Sequence, residues 1–298
     1  MPPIVFDRKL ARARRRRAAA LGPATFLVER VAQDLAERLA AVLRRFALAV
    51  DLGTPTDAVA RALAASVSIG RLIAVDAIPA HLKARPGLKV AADEEALPFR
   101  DASLGLVVSA LALQFVNDLP GTLVQVRRAL APDGLFLAAL VGGDSLTELR
   151  QAFAAAEAEL EDGASPRVAP FADVREMGAL LQRAGFALPV ADMERITVRY
   201  AAPLDLMRDL RRMGATNALA ERRRTPLRRA TLARMAAIYG ERFADADGRV
   251  RATFDIVWLS GWAPHESQQK PLAPGSAAAR LADALGTSEI PAGEKAGR

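Results

Sequence analysis

Short apolar runs alternate with stretches of helical periodicity through the first half of this chain. Phe46 to Val50 is one run, ending at Asp51-Leu52-Gly53. Leu72 to Val75 ends at Asp76, Val90 to Ala92 at Asp93, and Leu104 to Val108 at Ser109, and Gly134 to Val141 is a fifth run. Apolar runs without alternation suit strands covered on both faces, which is the habit of a parallel sheet. Helical segments are expected between them, at about residues 56–65, 79–84 and 118–130. Strand, helix, strand, repeated in this way, predicts an α/β fold with a doubly wound, Rossmann-like sheet. Upstream, Phe26, Val31, Leu35, Leu39, Val42 and Leu43 recur at helical spacing, so one amphipathic helix is expected over residues 22–45. Residues 1–45 then form a basic helical N-terminal extension.

The order changes after residue 144. Residues 145–162 and 173–183 read as helices, Ile196 to Tyr200 alternates like a strand, and Thr253 to Leu259 is a last strand. A polar, Arg-rich helical stretch over residues 203–243 falls between those last two strands, where it is expected to form a lid over the mouth of the site. The main domain is therefore placed at 46–267. A tail at 268–298, with Pro271, Pro274, Gly275 and Ser276, is expected to be largely mobile.

Composition narrows the chemistry. Of 298 residues, 51% are hydrophobic and 25% charged, which is globular and argues against general disorder. The chain has no Cys, and its only two His are His81 and His265. Thiol catalysis, disulfides, Cys-ligated zinc or iron–sulfur clusters and multi-His metal sites are excluded, and no metal is expected. No apolar run reaches about 18 residues, so no transmembrane segment is expected. Aromatic residues are 5% of the chain, which argues against a base-stacking surface and a nucleic-acid partner.

The basic charge is local. Residues 1–48 carry 11 basic and 4 acidic side chains, a surplus equal to the net charge of +7 for the whole chain. Arg14 to Arg17 form its densest part, after Arg8, Lys9 and Arg12. A solvated helix face, a surface for an acidic partner, membrane headgroups or RNA, and a targeting peptide all fit such a run. Asp7 and the absence of Ser count against the last.

In a doubly wound sheet, ligands bind beyond the carboxyl ends of the strands. Those ends carry Asp51 with Gly53, Asp76, Asp93 and Ser109. Asp76 follows Gly53 by 23 residues, and an acidic group about that far beyond a glycine turn can accept both ribose hydroxyls of a nucleoside. Strand-end Asp residues also cap helices, but three acidic ends in succession favour a nucleoside pocket.

Several dispersed pieces carry a resemblance. Asp51-Leu52-Gly53, Asp76, Ala92-Asp93-Glu94-Glu95-Ala96-Leu97-Pro98-Phe99 and Val107-Val108-Ser109 through Asn117-Asp118 resemble class I S-adenosylmethionine methyltransferases. More narrowly, the chain is similar to the branch containing the arginine hydroxylase that assists assembly of mitochondrial respiratory complex I, with its bacterial relatives. The malonyl-carrier O-methyltransferase of biotin synthesis is a cousin. The narrower likeness rests on Phe6-Asp7-Arg8, Gly142-Gly143-Asp144-Ser145-Leu146, Glu148-Leu149-Arg150, Ser165-Pro166, Pro170-Phe171, Ala184-Gly185-Phe186, Met213-Gly214 with Asn217, Gly261-Trp262 and His265-Glu266-Ser267-Gln268. It spans about residues 4–277, and it places the Arg run in the mature domain.

The resemblance implies S-adenosylmethionine as cofactor. Gly53 would lie at its methionine end, beside Asp51. Asp76 would take the ribose, Asp93 the adenine amino group with Glu94 adjacent, and Ser109 would sit near the sulfonium. Gln114 would face the substrate; the family often has His there, so this chain lacks a group titrating near neutral pH at that place. Asn217, after Met213-Gly214, is expected to face the pocket, and Trp262 with His265 to close it. The resemblance singles out no catalytic residue.

The glycine loop departs from the family pattern Asp-Leu-Gly-x-Gly-x-Gly. The chain reads Asp51-Leu52-Gly53-Thr54-Pro55-Thr56-Asp57, with Pro55 and Asp57 in place of two glycines. Pro55 has no N–H to offer an anion. Thr54 as N-cap, Pro55 at the first helical position and Asp57 at the third would start a helix unaided. A hydrogen bond to a charged group contributes about 1.5–3 kcal/mol, so losing one or two predicts binding roughly ten- to several-thousand-fold weaker.

Three functions stay open. The first is an assembly factor for respiratory complex I that hydroxylates an arginine of a subunit, a reaction needing an oxidant for which the sequence shows no redox-cofactor motif. The second is methyl transfer to a carboxylate or other oxygen of a small or carrier-bound molecule. The third is a non-catalytic binding protein with a degraded cofactor loop. The implied partner is a protein substrate, with peripheral membrane association through the basic N-terminus. The implied location is the bacterial cytoplasm at the inner membrane surface, or the mitochondrial matrix in a eukaryote.

Overall fold

A computed structural model describes residues 4–161, 163–269, 276 and 279–288. Contacts divide the chain into Met1–Pro264 and His265–Arg298. The first unit is built on a seven-stranded sheet: β1 (Phe46–Leu52), β2 (Ile69–Asp76), β3 (Leu88–Ala91), β4 (Leu104–Ala110), β5 (Leu130–Gly142), β6 (Ala187–Tyr200) and β7 (Val250–Trp262). The strand order is β3-β2-β1-β4-β5-β7-β6, with β1 to β5 parallel and β7 antiparallel between β5 and β6.

The helices before β7 are α1 (Arg8–Ala20), α2 (Phe26–Ala40), α3 (Ala58–Ala62), α4 (Pro79–Lys83), α5 (Leu119–Ala129), α6 (Thr147–Leu160), α7 (Val174–Arg183), α8 (Pro203–Arg212) and α9 (Arg229–Phe243). Two apolar clusters cover the two sheet faces. In β5, Leu135, Leu137 and Ala139 join α2, α6 and α9 on one side. Phe136, Ala138 and Leu140 join α5 and α7 on the other. A strand clamped between two helical layers has no polar face, so its sequence reads as one apolar run. Among its described residues the second unit has one helix, α10 (Leu281–Leu285). Pro271, Pro274 and Gly275, which carry the expectation of a mobile tail, lie outside the described residues.

Three expectations need correction. The helix expected over residues 22–45 starts only at Phe26, as the second of two helices in the N-terminal extension, because Gly22 turns the chain at φ +79° and Pro23 follows it. The second of them stops at Ala40, leaving Leu43 exposed. β6 begins at Ala187, nine residues before the expected start. It is an edge strand whose side chains alternate between exposed and half-buried, so its first half carries no apolar run. The stretch 203–243 is not continuously helical either: α8 and α9 are joined by irregular chain over 213–228.

Candidate functional site

At the carboxyl end of β1 the chain turns at Gly53, with φ +73°. Its N–H donates to the Val75 carbonyl at 2.8 Å. A Cβ at this position would lie 3.0 Å from Glu94 Oε1 and 3.1 Å from Ala112 Cβ, so the turn is packed for glycine alone. Asp51 and Asp76, at the ends of β1 and β2, are buried. Asp76 Oδ1 accepts the Ile78 N–H at 2.7 Å. Its Oδ2 accepts from Arg15 Nη2 at 2.7 Å and lies 3.4 Å from His81 Nδ1. Asp93 accepts the Glu95 N–H at 3.0 Å.

The basic N-terminal run turns inward over these carboxylates. Arg8, Arg12 and Arg15 share one face of α1 with the buried Ala11 and Ala18. Arg8 lies 2.8 Å from Asp93, 2.5 Å from Glu94 and 2.6 Å from Glu95. Arg12 pairs with Asp93, and Arg15 lies 3.6 Å from Glu94. The expectation of a solvated Arg face therefore holds for Arg16 and Arg17, which are exposed, and fails for these three. Carboxylates gathered at strand ends need counter-charge when buried, and α1 supplies it.

A second arginine source lies beneath. Arg85 is 4% exposed, contacts the Thr54 carbonyl, and stands 3.4 Å from Asp51 and 3.5 Å from Asp76. Thr54 Oγ1 donates to Asp51 and accepts the Ala110 N–H at 3.1 Å. The loop thus does not start a helix as expected. Thr54 is pulled into the interior, α3 begins only at Ala58, and Asp57 turns to Arg61 at 2.7 Å.

These neighbours separate the acids. Burial pushes Asp51 up to about 6, against the pull of Arg85 and Thr54. For Asp76, burial also acts upward, but the His81 contact, Arg15 and the Ile78 N–H together hold it below the usual carboxylate range. Burial likewise opposes the charge on Asp93, and the Glu95 N–H with Arg8 and Arg12 outweighs it, lowering its pKa.

Asp51 has a consequence for stability. A folded-state value above the ordinary 3.8 means that the folded chain holds this proton longer than the unfolded chain. Stability falls as pH rises through the window between about 4 and about 6, by up to roughly 3 kcal/mol for a shift of about two units. In Asp51→Asn that contribution is absent. Urea unfolding across this window should show wild type losing stability relative to the variant, whereas parallel curves would refute the assignment.

A cavity of about 320 Å³ opens between α1, Glu94, the chain after β4 at residues 111–116 and the inserted segment, and Asp51, Asp76 and Asp93 are not part of its lining. Arg15, His81, Glu94 and Pro55 line one end, and Leu146, Phe153, Phe171, Leu210 and Phe254 line much of the rest. The N-terminus closes over it: Asp7 N–H donates to Ala218 O at 2.8 Å and Ala220 N–H to Val5 O at 2.9 Å. Asn117 Oδ1 takes the N–H groups of Val5 and Phe6 at 3.0 and 2.8 Å, and Phe6 meets Phe115 edge-on.

Of the residues singled out in the sequence, Glu94, Gln114 and Asn217 line this cavity. Gln114 Nε2 donates to Leu111 O at 2.8 Å, while its buried Oε1 has no hydrogen-bond partner. Both polar atoms of Asn217 are engaged, with Pro166 O at 2.7 Å and the Leu219 N–H at 3.1 Å, so it shapes the wall. Asp76 and Asp93 stand behind the arginines of α1. Ser109 is buried and donates to Leu52 O at 2.7 Å, tying β4 to β1. Trp262 is a correction: antiparallel β7 puts it opposite Leu135, near the start of β5, and Arg44 lies over its ring. The carboxyl end of β5, at Gly142, pairs instead with Asp255. His265 belongs to the C-terminal unit, where its Nδ1 lies 2.7 Å from Ser267 Oγ.

The arginines of α1 and His81 stood out in the sequence but were given no place in the site, and Arg85 did not stand out at all. For α1 a signal existed: residues 8, 11, 12, 15 and 18 form one helical stripe in which Ala alternates with Arg. For Arg85 there was none. Among the described residues, no group of three His, Asp or Glu side chains could hold a metal.

A methyltransferase-domain family model matches residues 50–138. An arginine-hydroxylase NDUFAF5 from Danio rerio is 40% identical over 287 residues, covering 94% of this chain and 89% of the relative. The chain belongs to the class I S-adenosylmethionine methyltransferase family. The human arginine-hydroxylase NDUFAF5 is 41% identical, over 92% of this chain and 81% of its own length. A malonyl-[acyl-carrier protein] O-methyltransferase of Halorhodospira halophila is 39% identical, over 79% and 81%. The crystal structure of a putative methyltransferase from Bacillus halodurans has a TM-score of 0.54 at 16% identity, covers 78% of this chain and 99% of that one, and shares the fold.

The residues present fit the family's cofactor at its adenosyl end. Asp76 and Asp93 stand at the expected strand ends behind Arg15, Arg8 and Arg12, the Gly53 turn packs against Glu94 and Ala112, and His81 Nε2 is buried in the cavity wall without a partner. At the methionine end, the loop offers no glycine-rich backbone.

Proposed function

We propose that this methyltransferase-fold protein binds S-adenosylmethionine along the Gly53–Asp76–Asp93 row and modifies an arginine of a respiratory complex I subunit, by hydroxylation, during assembly. The observation that carries this reading is the end-to-end likeness to arginine-hydroxylases, 40% identity over 89% of the Danio rerio protein. Bound there, S-adenosylmethionine would supply an electrophilic sulfonium methyl, which serves methyl transfer; hydroxylation of an arginine C–H would in addition need dioxygen and a two-electron reductant brought from outside the site, with one oxygen atom entering the C–H bond and the other leaving as water. Asp76 and Asp93 would hold the nucleoside, Glu94 would set the charge beside it, and Gln114 Oε1 would accept from a donor on the substrate. The apolar wall around Phe153 and Phe171 would keep water from that contact.

Methyl transfer to a carboxylate is the second reading, favoured by the 39% identity to the malonyl-carrier enzyme. Direct displacement needs chiefly alignment of donor and acceptor, and the site need not contain a base for it. The exposed Arg16 and Arg17 would serve a peripheral contact with an acidic partner or the inner membrane surface of a bacterium; no helix among the described residues is long and apolar enough to cross a membrane.

Mass spectrometry of complex I subunits from cells with and without the gene separates the readings. A gain of one oxygen on an arginine supports hydroxylation, and a gain of one methyl supports transfer. Unchanged subunit masses with failed assembly would leave a binding role and refute modification of a subunit; methyl transfer to a carrier-bound carboxylate is tested separately, by the mass of a malonyl-loaded carrier protein incubated with the protein and S-adenosylmethionine.

A further inference from the structure

The loop after β1 suits an anion poorly. The Gly53 N–H is spent on Val75 O at 2.8 Å, Pro55 has none, and the Ala58 N–H goes to Thr56 Oγ1 at 3.2 Å. The Asp57 carboxylate adds negative charge at the start of α3. Among the described residues, the N–H groups of Thr54, Thr56 and Asp57 are not engaged by the fold, but they are neutral donors beside the Asp57 carboxylate, so a ligand carboxylate arriving at this end finds no counter-charge within the loop.

One group stands at that place with capacity to spare. Arg15 comes from α1, not from the loop. Its Nη2 lies 3.2 Å from Gly53 O and 2.7 Å from Asp76, yet its Nε is buried and has no hydrogen-bond partner. It lines the same cavity as Pro55 and Thr56. A guanidinium carries five donors, so Arg15 can keep its bond to Asp76 and still receive an anion. Its backbone is fixed: a Cβ on Gly214, which takes φ +72°, would fall 2.9 Å from Arg15 Cα, so α1 and the inserted segment meet there without a gap.

We propose that Arg15 binds the methionine carboxylate of S-adenosylmethionine and replaces the missing glycine-rich backbone of the β1–α3 loop. The assignment rests on the adenosyl reading of the Asp76–Asp93 row. It reverses the expectation of weak binding drawn from Pro55 and Asp57, because a charge-assisted guanidinium–carboxylate pair substitutes for lost neutral donors. The N-terminal helix then becomes part of the cofactor site.

Calorimetry with two nucleosides tests this. S-adenosylhomocysteine carries the carboxylate, and 5′-methylthioadenosine is the same thioether nucleoside without the amino-acid group. Wild type should bind the first more tightly. Arg15→Met should weaken S-adenosylhomocysteine by roughly 10- to 100-fold, the effect of one hydrogen bond to a charged group, and leave 5′-methylthioadenosine within about threefold. Arg15→Lys should restore part of the difference, and it serves as the second variant should the Met variant melt early. Equal losses for both nucleosides would make Arg15 structural. Gains for both would make it a plug on Asp76. Unchanged values, or a wild type that binds 5′-methylthioadenosine alone, would equally overturn the assignment. A wild type that binds neither would remove the adenosyl reading itself, and this one with it.

Discussion

Arg85→Ala should lower the unfolding free energy by about 3–5 kcal/mol, the range for removing one partner of a buried charge pair. Arg85 is 4% exposed and reaches Asp51, Asp76 and the Thr54 carbonyl together. Without it, two buried carboxylates would share only Arg15, Thr54 Oγ1, the Ile78 N–H and the His81 contact. Asp51, already pushed up to about 6, should then take a proton more readily still. Urea unfolding at neutral pH measures the loss, which should shrink in acid as Asp51 becomes neutral. A loss below about 1 kcal/mol, or one independent of pH, would show that the guanidinium is not the element holding this end of β1. Arg85→Lys should fall between, since a point charge cannot serve three acceptors in the geometry of a planar fork.

Asp76→Asn should weaken S-adenosylhomocysteine by roughly 100-fold or more, the loss of two hydrogen bonds to a charged acceptor at about 1.5–3 kcal/mol each. The substitution keeps the side-chain shape and an oxygen for the Ile78 N–H, so the turn after β2 should persist. Because the lost contacts are to the ribose, 5′-methylthioadenosine should weaken by a similar factor, in contrast to the selective effect expected at Arg15. Affinities within tenfold of wild type would place the nucleoside elsewhere. Asp93→Asn offers a comparison: it lies further exposed and pairs with Arg8 and Arg12, so a smaller loss is expected there.

The sheet was legible because its middle strands are closed on both faces. Leu135 to Leu140 alternate strictly between two cores, and no polar residue interrupts them. The first half of β6 was not legible, because its exposed face carries Leu188, Val190 and Met193, so the alternation of exposed and half-buried side chains is not one of polar and apolar residues. Gly22 and Pro23 stand in the sequence as a break between the Arg/Ala run and the apolar spacing, which begins only at Phe26.

The acids of the site were found for a local reason: each ends an apolar run, and a strand end is visible in one dimension. Their partners were not. Arg8, Arg12 and Arg15 share a stripe with Ala11 and Ala18, which marks a buried face, but nothing in that stripe names carboxylates 61 to 86 positions away as what covers it. Trp262 and Leu135 are related only by the register of an antiparallel pair. The chain's own order of residues therefore settled the class of fold, the strand ends and the acidic row, since these follow from burial and periodicity over a few neighbours. Which arginines neutralise that row, which polar atoms are left open to a ligand and which aromatic residues stay clear of the pocket were decided by the tertiary structure. Charge pairing and burial depend on distance in space, and local spacing carries no record of it.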